Sequence, residues 1–383
     1  MINQAVILAA GKGKRMKDGV KDSYLESTPK SLIDVNGVPL ISRTVKSLIS
    51  DGIQVFIVIN KNEESKFRKA LSNYDITYCY EDEPLGTAHA LYSARDFITD
   101  KLFGVFMGDD IFDYEELQIK NKDAPTIFAY LHYDCINYGV LDVDGNQVAR
   151  SIIEKKKLGK GLVNTGIYVM PNEFFELFKT ITRSSDSAEY FLTDVISKFY
   201  FLSKGFKVEI INEWQGINYP KDLKTVMLKI EGNPIIRLAR MSDVERLITL
   251  FSQLSESSIE VNYDKEKGKA ELKRIVENPN QYTLVAVVED YVVGTATLLV
   301  QNNLTHGASP YAHIENVVTD KEWRNKSIGK MLVNELIHIA RQLSCYKVIL
   351  NCNMYNSTFY EKLGFISTNE IEMRFNLNDD FNQ

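Results

Sequence analysis

The chain has 383 residues, 44% hydrophobic and 25% charged, with 45 basic against 51 acidic side chains and a net charge of −6. That length suits two domains with a core in each, and the composition excludes a disordered or fibrous chain. The acidic balance argues against a nucleic-acid coat or a binder of anionic membranes, and no apolar run approaches the ~20 residues that span a bilayer.

In MINQAVILAAGKGKR the apolar run is short and precedes its charges, so it reads as a first strand and not as a signal peptide. Short apolar runs then recur. Ala5–Ala9, Val55–Ile59, Leu102–Met107, Thr126–Leu131 and Lys207–Ile211 are expected strands, with amphipathic stretches at Ile41–Ser50 and Glu63–Leu71 between them. The alternation predicts an α/β domain with a mostly parallel sheet. At Glu231-Gly232-Asn233-Pro234 the pattern breaks, which predicts domains over 1–230 and 235–383. The second is expected to open with a strand, Ile235–Leu238, and a helix capped by Ser242 with Glu245 three residues on. A hairpin, Thr283–Val288 and Val292–Val300, follows, then a strand at His313–Thr319. In a helix over Ile328–Leu343, Ile328, Leu332, Leu336, Ile339 and Leu343 share one face; a strand at Lys347–Leu350 comes next. Cys79, Cys135, Cys345 and Cys352 form no CxxC pair and have no clustered His, so reduced thiols and a cytoplasmic protein are expected.

The strand at Leu8 runs into LAAGKGKRM. Gly11 and Gly13 let the backbone approach a phosphate, and Lys12, Lys14 and Arg15 supply positive charge. TPKSLIDVNGVPLI, LGTAHAL, MGDD, YGVLDVDGN, IIEKK, VNTGIYVM, EYFLTD and WQGINYPKDL follow in order. This ordered set, over about residues 3–228, resembles the sugar-1-phosphate nucleotidyltransferases, which join a sugar 1-phosphate to an NTP and release pyrophosphate. The resemblance implies a Rossmann-like α/β domain of the GT-A type and a reaction run by positioning and charge neutralisation. It implies Arg15 on the leaving triphosphate and Lys30 on the attacking phosphate, the alternative being two solvated cations. It places Leu8, Ala10, Gly11, Gly13, Glu81, Gly86 and Thr87 at the nucleotide, and Gly139, Glu154, Asn164 and Thr165 at the sugar.

Mg²⁺ takes oxygen ligands, and the resemblance implies Asp109 and Asn218 for it. A helix N-cap is the alternative for Asp109, and related branches carry an Asp where Gly216 stands. Asp110 has no implied role. At Glu81 the family usually has Gln facing a pyrimidine; a carboxylate there accepts a hydrogen bond but does not donate unless protonated. Lys14 replaces a small Thr or Ser, and Lys17–Thr28 is longer and more charged than in the bacterial acetylglucosamine enzymes.

From Ile235 to Phe375, IRLARMSDVERL, VVGTATLLV, AHIENVVTDKEWRNKSIGK and NSTFYEKLGF resemble the α+β GNAT N-acetyltransferases, within them the glucosamine 6-phosphate subfamily. Arg324, Asn325, Lys326, Ser327, Ile328, Gly329 and Lys330 open the long helix, whose N–H groups would hold the CoA pyrophosphate; the general pattern has Gly where Ser327 stands. The resemblance implies Val317 and Val318 as backbone contacts to acetyl-CoA and Glu315 beside the acceptor amine. It sets Asn356 and Tyr360 near the thiol, with the Tyr360 hydroxyl as acid; a core tyrosine is the alternative. Asn316 and Asn351 replace family Asp residues. Lys347 and Arg374 are open between 6-phosphate partners and plain surface charge.

Together these imply an enzyme of UDP-N-acetylglucosamine synthesis. It would acetylate glucosamine 6-phosphate and couple GlcNAc 1-phosphate to UTP, using Mg²⁺ and acetyl-CoA, as a homodimer through the C-terminal domain. The alternatives are a different nucleotide sugar, a regulatory protein with one degenerate domain, and acetylation of protein lysines. No hexapeptide repeat of a left-handed β-helix is present.

Overall fold

Alternate residues of the first strand go to opposite faces of a sheet. Val6 and Leu8 join one apolar cluster, with Ala88, Leu91, Phe174, Val195 and Phe199. Ala5, Ile7 and Ala9 join the other, with Ile41, Val45, Leu48 and Phe67. A strand buried on both faces belongs in the middle of a three-layer α/β unit. The computed structural model describes residues 1–17, 23–154, 158–183, 189–202, 205–254, 265–368 and 373. The chain divides into two units, Met1–Asn233 and Pro234–Gln383.

The strands of the first unit are β1 (Gln4–Leu8), β2 (Asp34–Val35), β3 (Val38–Pro39), β4 (Gln54–Asn60), β5 (Thr77–Glu81), β6 (Leu102–Met107), β7 (Asp110–Phe112), β8 (Thr126–His132), β9 (Gly139–Val143), β10 (Val148–Glu154), β11 (Gly161–Pro171), β12 (Phe206–Ile211) and β13 (Trp214–Gly216). Nine form one sheet in the order β5-β4-β1-β6-β11-β8-β12-β10-β9. The half from β5 to β6 is parallel, whereas β11 and β10 run against their neighbours. The expected parallel sheet is therefore half of a mixed one. β7 and β13 pair separately as a short antiparallel ribbon.

The second unit holds β14 (Ile235–Leu238), β15 (Gln281–Val288), β16 (Tyr291–Gln301), β17 (Tyr311–Thr319) and β18 (Val348–Leu350), in that order across one sheet. Helices Val244–Phe251 and Lys265–Glu277 bury Leu247, Leu250 and Leu272 with Val285, Val287 and Val292. Helix Ile328–Gln342 buries Ile328, Leu332, Leu336 and Ile339 as its spacing predicts. Gly294 makes room for it, since a Cβ there would lie 2.9 Å from Ile328 Cγ2. The helix start at Val244 differs from expectation. Ser242 lies inside a 3₁₀ turn, and Asp243 does the anchoring. Its carboxylate accepts the Arg240 N–H at 2.8 Å and pairs with buried Arg237 at 2.7 Å, because a charged acceptor outcompetes a hydroxyl for the same donors.

Candidate active sites

The first site forms where β1, β6 and the β7–β13 ribbon end. Met16, on the turn Lys14–Lys17, is buried with Ile33, Leu40, Ile217 and Val226. That small core pins the glycine loop beside helix Pro220–Ile230. Gly13 has φ +61, and a Cβ on it would lie 3.3 Å from Lys30 Cβ, so the loop rests on the Lys30 stem. The Lys30 ammonium meets the Asp109 carboxylate and lies 3.4 Å from Asn218 Oδ1. Asp109 precedes β7 and does not cap a helix. Asn218 is held by its neighbours: Asp222, on the first turn of the helix, accepts the N–H groups of Asn218 and Tyr219 at 2.8 and 2.7 Å. Arg15 is exposed, its guanidinium 6.0 Å from the centre of the Tyr219 ring, and the Lys221 ammonium is 5.8 Å from the same ring. Arg15, Lys30, Asp109 and Asn218, far apart in sequence, thus converge.

Lys30 here sits as a cation between a carboxylate and an amide oxygen. That hard, oxygen-only pair fits Mg²⁺, which completes its shell with phosphate oxygens and water. Among the described residues no group of three or more His, Cys, Asp or Glu side chains could hold a metal. Asp110 is buried and accepts a 3.1 Å hydrogen bond from the Trp214 indole. Burial first, then the Asp109 charge, pushes its carboxyl well above the usual range, against the Trp214 bond and Lys30.

Gly86 and Thr87 shape the neighbouring loop. Gly86 has φ +106, and a Cβ there would lie 2.5 Å from the Tyr190 carbonyl oxygen. Tyr190 N–H donates to Leu85 O at 2.7 Å and Leu192 N–H to Thr87 Oγ1 at 3.1 Å. The LGT and EYFLTD motifs therefore meet. Gly86→Ala is expected to cost at least about 2 kcal/mol through backbone strain and overlap, measured by urea unfolding; an unchanged midpoint would refute the close approach. Glu81 ends β5 buried, its carboxylate 2.7 Å from His89 Nδ1. Burial raises its pKa, while the His89 bond opposes that rise. His89 and Tyr190 were not singled out in the sequence; both lie in motifs read there for other residues.

The proposed sugar residues gather on adjacent strands. Gly139 and Glu154 are register partners, and Val140 pairs with Val163 beside Asn164. The Glu154 side chain lies outside the described residues. Asn164 exchanges hydrogen bonds with Tyr168 OH at 2.7 and 3.0 Å. Thr165 is buried, donating to Phe128 O at 2.6 Å. Its hydroxyl fixes the strand bend while Asn164 stays partly exposed.

In the second unit the β16–β17 register slips between Thr295 and Thr297, where two residues of β17 stand against one. This bulge consists of Asn316, at φ +55, and Val317, directly after Glu315. A left-handed backbone suits Asn, which accounts for Asn316 without invoking a substrate. β18 pairs with β17 only as far as Ile314, so the strands part where the bulge begins. Gly329 lies between Phe359 and the last residue of β17: a Cβ on it would lie 3.4 Å from Phe359 Cζ and 3.6 Å from Thr319 Oγ1. The helix N-terminus, the end of β17 and the Phe359-Tyr360 pair thus meet. Arg324 Nε donates to Thr319 O at 3.4 Å, and the Lys326 ammonium sits 4.1 Å from the Trp323 ring centre. Asp320, paired with Arg246, anchors the loop by accepting Glu322 N–H at 2.9 Å.

Ser327 has φ +63 and Asn325 φ +64. Ser327→Gly should therefore stabilise this unit by about 0.5–1 kcal/mol, read as a higher urea midpoint; a lower one would refute the strain. Glu315 is exposed, its Oε1 3.3 Å from His313 Nε2 but out of hydrogen-bond line. Tyr360 is half-buried against Phe359 and Phe365. Burial, with Cys352 nearby, pushes its phenol up to about 12. Asn351 and Asn356 are exposed. The Lys347 ammonium lies 5.6 Å from the Tyr346 ring centre, and Arg374 lies outside the described residues.

The nucleotidyl transferase family model matches residues 4–231. The chain belongs to the nucleotidyl transferase family. The acetyltransferase (GNAT) family model matches residues 247–365 of this nucleotidyl transferase, so the second unit is a GNAT domain. Bifunctional protein GlmU of Methanococcus maripaludis is 29% identical over 248 residues, covering 60% of this chain and 56% of the relative. The protein of that name from Thermodesulfovibrio yellowstonii is 31% identical over 242 residues, covering 58% and 51%. The nucleotidyl transferase thus spans little more than half the length of these curated relatives. The inositol-1-phosphate CTP transferase of T. maritima shares the fold, with TM-score 0.51 at 20% identity, covering 60% of this chain and 96% of its own.

Proposed function

We propose that the chain is a bifunctional enzyme of UDP-N-acetylglucosamine synthesis. The GNAT unit, Pro234–Gln383, would acetylate glucosamine 6-phosphate with acetyl-CoA; the nucleotidyl transferase unit, Met1–Asn233, would join N-acetylglucosamine 1-phosphate to UTP. The observation that carries the reading is Lys30 held between Asp109 and Asn218, with Arg15 at Tyr219 beside them. The LGT motif and the relatives named GlmU support the uridine and acetylglucosamine assignment.

In the first reaction Lys30 holds the sugar phosphate in line, and Arg15 binds the outgoing pyrophosphate. A sugar-phosphate oxygen bonds to the α-phosphorus as the bond to pyrophosphate breaks. Bound at Asp109 and Asn218, Mg²⁺ would neutralise phosphate charge. Gly139, Glu154 and Asn164 orient the sugar. In the second reaction the neutral amine attacks the thioester carbonyl, Glu315 takes the proton the nitrogen sheds as the C–N bond forms, and Tyr360 OH gives its proton to the sulfur as the C–S bond breaks. A phosphate must move from position 6 to position 1 between the two steps, so a separate mutase is required.

Among the described residues no helix is long and apolar enough to cross a membrane. UTP and acetyl-CoA as substrates favour a cytoplasmic setting. Exposed Met354, Tyr355 and Ile366 in the segment after β18 support a homodimer through the second unit; light scattering at the mass of one chain would refute it. The function is tested on the full chain with two assays. Free thiol is followed with acetyl-CoA and glucosamine 6-phosphate, and pyrophosphate with GlcNAc 1-phosphate and each NTP plus Mg²⁺. Thiol release and UTP-selective pyrophosphate release are expected. A different preferred base would favour a second reading, another nucleotide sugar, to which buried Glu81 in place of Gln points.

A further inference from the structure

Asp110 has no part in the reaction above, yet it is a buried carboxylate beside the proposed metal ligand. The β7–β13 ribbon is three pairs long: Asp110 faces Gly216, Ile111 faces Gln215 and Phe112 faces Trp214. Its Asp110–Gly216 end continues to Asp109 on one strand and to Asn218 on the other, so this short ribbon sets the separation of the two oxygen ligands. A ribbon so short has few ladder hydrogen bonds of its own. The Trp214 ring folds back diagonally over Gly216, and its indole N–H reaches Asp110 Oδ2 at 3.1 Å. A Cβ on Gly216 would lie 2.8 Å from Trp214 Cζ2. The ring therefore fills the space that a side chain at position 216 would need. Tyr130 and Tyr138 hold the outer part of the ring, with centroids 5.9 and 5.6 Å away.

We infer that the Asp110–Trp214 bond is the positioning element of the metal site: it locks the ribbon so that Asp109 and Asn218 face one cation. Partners behind metal ligands commonly change affinity by about 10–100-fold when removed. The inference rests on the metal reading proposed above, and the experiment separates the two. Mn²⁺ binding to the full chain is measured from the free-ion EPR signal, without nucleotide, so that only the chain takes up the ion. Asp109→Ala is the reference. Trp214→Phe keeps a ring against Tyr130 and Tyr138 but loses the donor; Asp110→Leu loses the acceptor; Asp110→Asn keeps an acceptor oxygen. The expected result is about tenfold weaker Mn²⁺ binding for Trp214→Phe and Asp110→Leu, with Asp110→Asn within about threefold of the parent. Near-parental binding by Trp214→Phe and Asp110→Leu, with Asp109→Ala weakened, overturns the positioning role alone. Unchanged binding by Asp109→Ala overturns the metal reading, and this inference with it. Failure of Asp110→Asn to restore binding while its far-UV spectrum and melting match the parent also overturns it, because the acceptor would then not be what matters.

Discussion

Lys30→Met is expected to lower UTP-dependent pyrophosphate release about 10²–10³-fold while leaving acetyl transfer at the parental rate. The phosphoryl reaction asks little covalent chemistry of the protein, so a cation fixed at the reacting phosphate carries much of the stabilisation. Lys30 is such a cation, meeting Asp109 and lying 3.4 Å from Asn218 Oδ1. Methionine keeps the stem under Gly13, where a Cβ would lie 3.3 Å from Lys30 Cβ, so the loop retains its support. Removing the ammonium also frees the two oxygen ligands. Metal binding should hold or tighten as turnover falls, and that split separates the charge from a merely structural role. The acetyl-transfer rate is the control for enzyme amount, since it belongs to the other unit, and a parental melting curve is the control for folding of the first. A rate within about threefold of the parent would show that Lys30 does not act on the attacking sugar phosphate.

The β-strand cores were legible because a strand buried on both faces is an unbroken apolar run, as in β1, β4 and β6. Helix Ile328–Gln342 was legible from its 3.6-residue spacing. The antiparallel crossing of β11 was not, because strand order depends on pairing between distant segments, which local pattern does not encode. The Ser242 cap failed for a related reason. Asp243 gains a buried arginine from β14, a tertiary partner that no capping rule contains. At the first site the motifs named Lys30, Asp109 and Asn218, but their meeting needs the ribbon. Trp214 and Asp222 were inside a quoted motif without roles, since an indole donor and a capping carboxylate act only through what the fold brings to them. In the sequence Asn316 and Ser327 stand out only as departures from an Asp and a Gly of the family pattern. Their positive φ values show that the backbone demands matter first at both positions.

Tyr360→Phe is expected to lower thiol release in acetyl transfer about 10²–10⁴-fold, the usual worth of a positioned general acid, with pyrophosphate release unchanged. Phenylalanine keeps the ring packing, with centroids now 4.9 Å from Phe359 and 5.9 Å from Phe365, so stability should hold. The pH profile carries the stricter test. Burial pushes the phenol up to about 12, so it stays protonated through the neutral range and can donate to the thiolate. The rate should therefore rise with pH as the acceptor amine loses its proton, then stay level to pH 10 and fall only near the phenol's own pKa. An ordinary exposed tyrosine would begin to lose its proton near pH 10 and bend the profile there. The variant should keep the rising limb, which belongs to the amine, at a lower plateau. A plateau within about threefold of the parent would assign Tyr360 to packing alone. A parental profile that falls below pH 9 would instead place the proton donor on another group.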